Sequence, residues 1–443
     1  MSDGAHQTCA TALPAGPARA LFCHRHVAAY LPGAPDILLR VAAERDVRGG
    51  LRVALSPISE AGAGATVAGG DVESFARQYG VPVVDLGAPL FLDPVVIPKP
   101  WGRELWFTGI EARGQSGVRA GDSSLPLPWL LSIARREILG SDDNNLNLLK
   151  ILDPLSDPVY GDLYFELHEE KREAYVVTRV DPESWPAGRG AIRYGFDPQV
   201  RAEYPDDAEF RAAYLGSVRD YEAVRRAIDR LEDTWRIAEG YGPNDPVSAA
   251  TLRRWRAAHS PELRRAEAET RHAMERFTHL LSLGVGEVVQ VPTRLPHALQ
   301  HGVRTVEFQT PVYERRILSF AQKVLTQDHW DTAAAVPQMH LDPPVQVPAE
   351  VIAEGPGVTR ERIVAFDDFV VDRWQLMPGA GATLYQQDSY ALAMTICGAV
   401  AVAGNTLYAE NALLIPAACA AVAIENRGGE PAALLVSGPR RQR

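Results

Sequence analysis

Residues 161–177 read GDLYFELHEEKREAYVV, and the fold of the chain is read outward from them. In an extended strand side chains alternate between faces, so Glu166 and His168, two positions apart, point the same way and can reach one ion. The polar turn Glu169-Glu170-Lys171-Arg172 follows, after which Glu173, Tyr175 and Val177 share a face that returns Glu173 to the same centre. Two carboxylates and one imidazole need a fourth ligand. Residues 286–302, GEVVQVPTRLPHALQHG, form a second strand-turn-strand stretch, and its His297, after Pro292 and Gly286, is the candidate. The alternative for the first stretch is an ordinary polar strand face with Glu173 in a solvated charge run.

The spacing Glu166-x-His168-x4-Glu173 resembles the first cupin motif, HxHx(3-4)E, with a carboxylate for its first histidine. The spacing Gly286-x5-Pro292-x4-His297 resembles the second, Gx5PxGx2H, with Arg294 where the motif has glycine. Both halves occur in the right order on strand-like patterns.

A chain of 443 residues is too long for one core and is expected to form roughly two to four domains. Its net charge of −11 argues against a nucleic-acid surface, which needs a basic stripe to neutralise phosphates. A small anion can still be held by a few local Arg and Lys side chains. No run of about 20 apolar residues is present, so no membrane partner is expected. The start, MSDGAHQTCATALPAG, lacks a basic n-region and a clean apolar core, so export is not expected. Cys9, Cys23, Cys397 and Cys419 are scattered without CxxC spacing, which suits a reducing cytoplasm and argues against a cysteine zinc site or a disulfide framework.

The first thirty or so residues, rich in Ala, Gly and Pro, are expected to be loose at their start, and residues 36–87 alternate short strands with the helix DVESFARQYG, as in a small α/β module. The pair His24-x-His26 has no third ligand nearby and reads as a polar loop. From about 206 to 283 the chain is dense in Ala, Arg, Glu and Leu with helical periodicity, broken at 240–246 and restarted at Ser260-Pro261-Glu262. His272 and His279 fall in this helical stretch and read as surface or core residues. After the Pro-rich VPQMHLDPPVQVP, alternating runs such as IVAFDDFVVDRWQL and YALAMTICGAVAVAG read as a second barrel. Its ligand positions hold Gln386, Asp388 and Ala391, with no histidine after Pro416, so that barrel is expected to lack a metal.

Pro98-Lys99-Pro100-Trp101-Gly102 resembles the PKPWG opening of type I mannose-6-phosphate isomerases, which are metal-dependent two-cupin enzymes. The likeness continues in order: residues 148–153, LLKILD, resemble the family's LLVKILD strand, Glu173 with Tyr175 its K-x-E-x-W-Y-I segment, and Pro296-His297-Ala298 its PHA. Residues 306–309, VEFQ, followed by YERR at 313–316, resemble its EIQQ segment and the tyrosine-arginine pair after it. The likeness covers about residues 97–336. Where the family has QVHP with glutamine and histidine ligands, this chain has Glu166-Leu167-His168-Glu169, and the insert before Glu173 is shortened.

The resemblance implies a mainly β fold of two cupin (jelly-roll) barrels, with a helical domain inserted in the first and a small N-terminal α/β segment. The expected boundaries are 1–90, a metal-bearing barrel at 91–205 and 283–336, a helical insertion at 206–282, and a metal-free barrel at 337–443. It implies interconversion of an aldose phosphate and a ketose phosphate, mannose 6-phosphate and fructose 6-phosphate first, on one divalent ion held by Glu166, His168, Glu173 and His297. Zinc is expected, with iron, manganese or cobalt as alternatives; an added carboxylate favours a harder ion and weakens Lewis acidity. Lys150 and Arg315 are the expected catalytic residues, and Arg294, Arg316, Trp101 and Lys99 the expected substrate contacts. A sugar phosphate is the expected partner, with homodimerisation left open. Two further readings remain at this point, an iron-dependent cupin oxygenase and an inactive sugar-binding cupin.

Overall fold

The structure, a computed structural model, describes residues 7–58, 71–342, 345–385 and 388–440. It is mainly β with a helical insertion, as the period-two and period-3.6 stretches predict. The chain divides into two compact units, one formed by Val96–Leu105 with Ile151–Gln346, the other by Met1–Val95, Trp106–Lys150 and Val347–Arg443. These cuts differ from the expected ones: residues 106–150, assigned by sequence to the metal-bearing barrel, belong to the same unit as the C-terminal barrel.

Two sheets, most of whose residues fall in the first unit, close over one core. One runs Val288–Val291, Glu173–Val180, Val303–Gln309, Leu148–Pro154, Gly102–Trp106, Val95–Lys99. The other runs Thr278–Leu283, Gly190–Phe196, His297–Leu299, Phe165–Leu167, Arg316–Ser319. Phe165, Leu167, Tyr175, Val177, Val289 and Ile317 are buried between them. At about 25 cal/mol per Å² of apolar surface, each such side chain contributes roughly 1.5–3 kcal/mol.

The helical insertion consists of Asp207–Ala238, Ala249–Ala258 and Pro261–Glu275. Each helix starts at a side-chain cap: Asp206 accepts from the Glu209 amide, Ser248 from that of Thr251 and Ser260 from that of Leu263, which satisfies amides with no intrahelical partner. Phe210, Tyr214, Val218 and Tyr221, spaced three and four apart, bury one stripe of the long helix in the barrel core, where the Phe196 ring meets Phe210 at 5.4 Å and Tyr214 at 5.0 Å. The helical reading runs too far at its end. Thr278–Leu283 is a strand paired with Gly190–Phe196, because backbone pairing with an available sheet edge outweighs the helix propensity of a short Leu-containing run. His279 is therefore a strand residue.

In the second unit, Ser123–Pro126, Gly117–Ala120 and Leu90–Asp93 extend a nine-stranded sheet whose other members lie between Glu350 and Pro439. This pairing draws residues 90–93 and 117–126 to the C-terminal barrel. A four-stranded sheet, Gly381–Tyr385, Ala421–Glu425, Ala399–Val402 and Asn405–Tyr408, packs on it around Leu376, Leu384, Val402 and Leu434. The N-terminal residues form a separate antiparallel sheet, Ala18–Val27, Asp36–Arg45, Leu51–Pro57 and Val84–Asp85, with the helix Val72–Tyr79 beside it. Within the Ala-, Gly- and Pro-rich first thirty or so residues, expected to be loose at their start, Ala18–Val27 is a full strand. His24 and His26 lie buried on it rather than in a loop, and His24 Nδ1 bonds the Gln7 carbonyl while His26 Nε2 bonds the Tyr30 hydroxyl. No helix among the described residues is long and apolar enough to cross a membrane.

Candidate metal centre

The two sheets of the first unit bring the four expected ligands to one place. In the register, Glu166 stands directly opposite His297, and Glu173 arrives from the facing sheet. Ligand atoms of Glu166, His168 and His297 lie within 4.8 Å of one another. His168 Nε2 is 3.3 Å from Glu173 Oε1 and 3.9 Å from Glu166 Oε1, and His297 Nε2 is 3.1 Å from Glu173 Oε2.

Both imidazoles are held by the backbone. His168 Nδ1 is 3.0 Å from the Glu314 carbonyl oxygen and His297 Nδ1 is 3.0 Å from that of Leu295. A carbonyl only accepts, so Nδ1 carries the proton in each ring and Nε2 presents its lone pair to the centre. That arrangement fixes the tautomer and orientation of metal-ligating histidines. It also points two nitrogen lone pairs at carboxylate oxygens. His168 Nε2 and Glu166 Oε2 are buried with no hydrogen bond, and a cation between them and Glu173 would satisfy all of them at once. The donor set, two nitrogens and two carboxylates, suits zinc or another divalent first-row ion.

The electrostatics agree with this reading. Burial, followed by the neighbouring Lys171 charge, pushes His168 below the usual imidazole range. Burial alone would raise Glu173, but the charge of Lys171, the close approach of His168 and the bond from His297 hold it well below the usual carboxylate range. Burial would lower His297, but its bond to Glu173 and the charges of Glu173 and Glu166 raise it. A proton on His297 satisfies the pair, and a cation would do so in the same way. Tyr175, buried beside Glu173, donates its hydroxyl to Glu173 Oε2 at 2.5 Å and is pushed well above the usual phenol range by burial and by that carboxylate.

Arg294 keeps the backbone conformation of the glycine it replaces in the second motif. Its φ is +62°, a left-handed conformation that glycine adopts without a Cβ penalty, and its amide donates to the His168 carbonyl at 2.6 Å. Its side chain is exposed. Arg315 places its guanidinium 4.6 Å above the Tyr164 ring, donates to Thr326 Oγ1 at 2.8 Å and brings Nη1 to 3.8 Å from Glu166 Oε2. Arg316 turns instead to Glu169 at 2.9 Å and Asp331 at 3.8 Å. Lys150 is buried on the Leu148–Pro154 strand. Lys99 pairs with Glu104 at 3.1 Å, and Trp101, 1% exposed, is packed into the barrel core. In the C-terminal barrel Asp388 is exposed at φ +61° and Ala391 begins a strand; Gln386 lies outside the described residues.

Sequence reasoning passed over Lys171. It was read as part of a polar turn, yet it is 8% exposed with Nζ 3.1 Å from Glu173 Oε1. The same period-two rule that joins Glu173 to Tyr175 extends back to Lys171, and that signal could have found it. Glu314 was also missed. Its carboxylate accepts from the Glu170 and Lys171 amides at 3.1 and 3.2 Å and so pins the turn that carries the lysine.

Solved structures with the same architecture are phosphomannose isomerases. Mannose 6-phosphate isomerase from Bacillus subtilis matches with a TM-score of 0.53 and 16% identity, over 79% of this chain and 99% of that one. The chain has the phosphomannose isomerase fold. Two alanine mutants of phosphomannose isomerase from Salmonella typhimurium, one replacing an arginine and one a lysine, match this chain with TM-scores of 0.54 and 0.52. Their identities are 12% and 13%, the shares of this chain 79% and 80%, and the shares of theirs 99% and 100%. No protein-family model matches the chain, and no curated protein matches it by sequence.

Proposed function

We propose that the protein is a metal-dependent aldose–ketose isomerase acting on a sugar phosphate, with mannose 6-phosphate and fructose 6-phosphate the first pair to test. The observation that carries this reading is the pair of imidazoles, each turned by a backbone carbonyl so that Nε2 meets the Glu173 carboxylate, with Glu166 and Lys171 alongside. Glu166, His168, Glu173 and His297 would hold the ion. When bound, a divalent ion supplies positive charge beside the oxygens of the developing enediolate.

The chain's own groups do the rest. Isomerisation moves a proton from C2 of the aldose to C1 of the ketose, so a base must lie within reach of both carbons, and a second proton passes between the two substrate oxygens. Lys150 is assigned the transfer between oxygens. Lys171, paired with Glu173, offsets the extra negative charge that Glu166 brings and lets a phosphorylated substrate approach. Arg315, steadied by Tyr164 and Thr326, is assigned the phosphate, which a guanidinium binds in a forked geometry. Arg294 offers a second cation at the same barrel mouth.

One other reading has an observation behind it. Glu166, His168 and His297 are also a two-histidine, one-carboxylate set of the kind that binds iron(II) for oxygen chemistry. Incubation with aldose phosphates and divalent ions in deuterated water separates the two. Deuterium appearing at C1 of the ketose, insensitive to oxygen, supports isomerisation. Oxygen consumption with iron and no exchange would replace it with the oxygenase.

A further inference from the structure

The C-terminal barrel contains an open cleft of about 190 Å³, bordered by the strands Val358–Ala365, Phe369–Leu376, Gly381–Tyr385 and Ala432–Pro439. That is less than the roughly 300–1,000 Å³ of a pocket for a drug-sized ligand, so the cleft suits a small ligand of a few heavy atoms to a single sugar. Its charged lining consists of Arg360, Arg362 and Asp372. The register sets Arg360 opposite Trp374 and Arg362 opposite Asp372, so all four side chains share one face of the sheet.

One carboxylate organises both cations. Asp372, 4% exposed, takes Nε and Nη2 of Arg360 on Oδ2 at 2.9 and 2.6 Å. Arg362 gives Nε to Asp372 Oδ1 and Nη2 to Oδ2. The Arg360 guanidinium also lies 5.0 Å from the centre of the Trp374 ring, which fixes its plane. Each arginine thus spends its Nε–Nη2 edge on Asp372, and neither Nη1 has a hydrogen bond among the described residues. Two guanidiniums against one carboxylate leave one positive charge in the lining.

One arginine is enough to neutralise the Asp372 carboxylate; the second, with both guanidiniums partly exposed at 35% and 28%, leaves donors facing the solvent side of the cleft. Two oriented guanidiniums with unused donors and a net positive charge are what an incoming oxyanion requires. Ala391, one of the positions where a metal ligand was sought by sequence, lines the same cleft. The first barrel gathers carboxylates and imidazoles; this one gathers guanidiniums, and the sign of its ligand is reversed accordingly.

We propose that the C-terminal barrel cleft binds a small organic oxyanion, a phosphate monoester or a carboxylate of sugar size, at a site that uses none of the residues of the metal centre. The experiment is calorimetric titration of the full chain with glycerol 3-phosphate in one arm and gluconate in the other, which separates the two oxyanion classes. At least one probe is expected to bind in the millimolar range or tighter. Arg362→Gln should weaken that binding at least about tenfold, with the melting temperature measured alongside, through loss of a charge-assisted donor pair. Asp372→Asn, which keeps both cations and removes the competing charge, should strengthen it, and His297→Ala should leave it unchanged. Absence of binding of both probes at about 10 mM, a weakening by His297→Ala, or an affinity for Asp372→Asn no higher than wild type overturns the proposal. The Asp372→Asn result decides the matter even if Arg362→Gln fails to fold.

Discussion

His297 and Glu173 come from facing sheets of one barrel and meet with Nε2 3.1 Å from Oε2, while the other oxygen of the same carboxylate lies 3.3 Å from His168 Nε2. One carboxylate thus spans two imidazoles whose opposite nitrogens are each tied to a backbone carbonyl. The rings cannot turn away without losing those bonds.

His168→Ala and His297→Ala are each expected to lower bound divalent metal at least about tenfold. The thermal melt measured without added metal should change less, because the barrel core of Phe165, Leu167, Val289 and Ile317 does not depend on either ring. Elemental analysis beside the melt checks this. Full metal retention in either variant would remove the centre from consideration.

Glu166→Gln is expected to keep the metal and to maintain or raise turnover of sugar phosphate. The change retains a ligating oxygen and removes one negative charge from a site that must admit a phosphate dianion. It also relieves the buried Glu166 Oε2, which has no hydrogen bond. Steady-state kinetics with metal content measured in parallel decide; loss of metal together with loss of activity would mean that the charge itself is required.

Arg315→Ala and Lys171→Met are expected to cost activity in different ways. Arg315 is partly exposed and packs on Tyr164, so its removal should shift stability by no more than about 1 kcal/mol. It should lower kcat/KM by roughly ten- to a hundredfold, the value of a charge-assisted phosphate contact. Lys171 is buried against Glu173, so its loss should lower turnover and also weaken the fold. If Arg315→Ala turns over as wild type, the phosphate contact belongs to Arg294 or Arg316.

His259 predicts a pH effect on stability unrelated to catalysis. Burial, with the charges of Arg225 and Arg256 next, lowers its pKa to about 4, against a model-peptide value of 6.5. A base with a depressed folded pKa is protonated more readily in the unfolded chain, so stability is full above pH 6.5 and declines as pH falls toward 4. The neighbouring Glu232, raised by burial, acts in the opposite sense and is common to both proteins in the comparison. Melting curves of wild type and His259→Asn across this range should converge toward acid, with wild type losing more. Parallel curves would mean that His259 titrates normally.

Much of the architecture is legible in local pattern. Strand alternation around Glu166, His168 and Glu173, the Ser260-Pro261 helix start and the stripe Phe210, Tyr214, Val218, Tyr221 follow from periodicity and capping, which depend on neighbours three or four positions away. The ligand candidates were legible for the same reason, since an extended chain fixes which side chains share a face. Lys171 was not, because burial of a lysine in a charge-rich turn depends on Glu314, 143 residues later, accepting its backbone amide. Likewise, the Thr278–Leu283 strand exists because the edge of Gly190–Phe196 was available to pair with it.

By itself, then, the sequence determined the β-rich class and the helical insertion, and singled out Glu166, His168, Glu173 and His297 as candidate donors, all consequences of local conformational preference. The tertiary structure alone decided which donors converge, that Lys171 joins them, that Arg316 turns away to Glu169, and that residues 90–93 and 117–126 pair with the C-terminal barrel. Those outcomes are set by sheet pairing and by the burial of charge, whose energies depend on partners more than a hundred residues away and cannot be read from any local window.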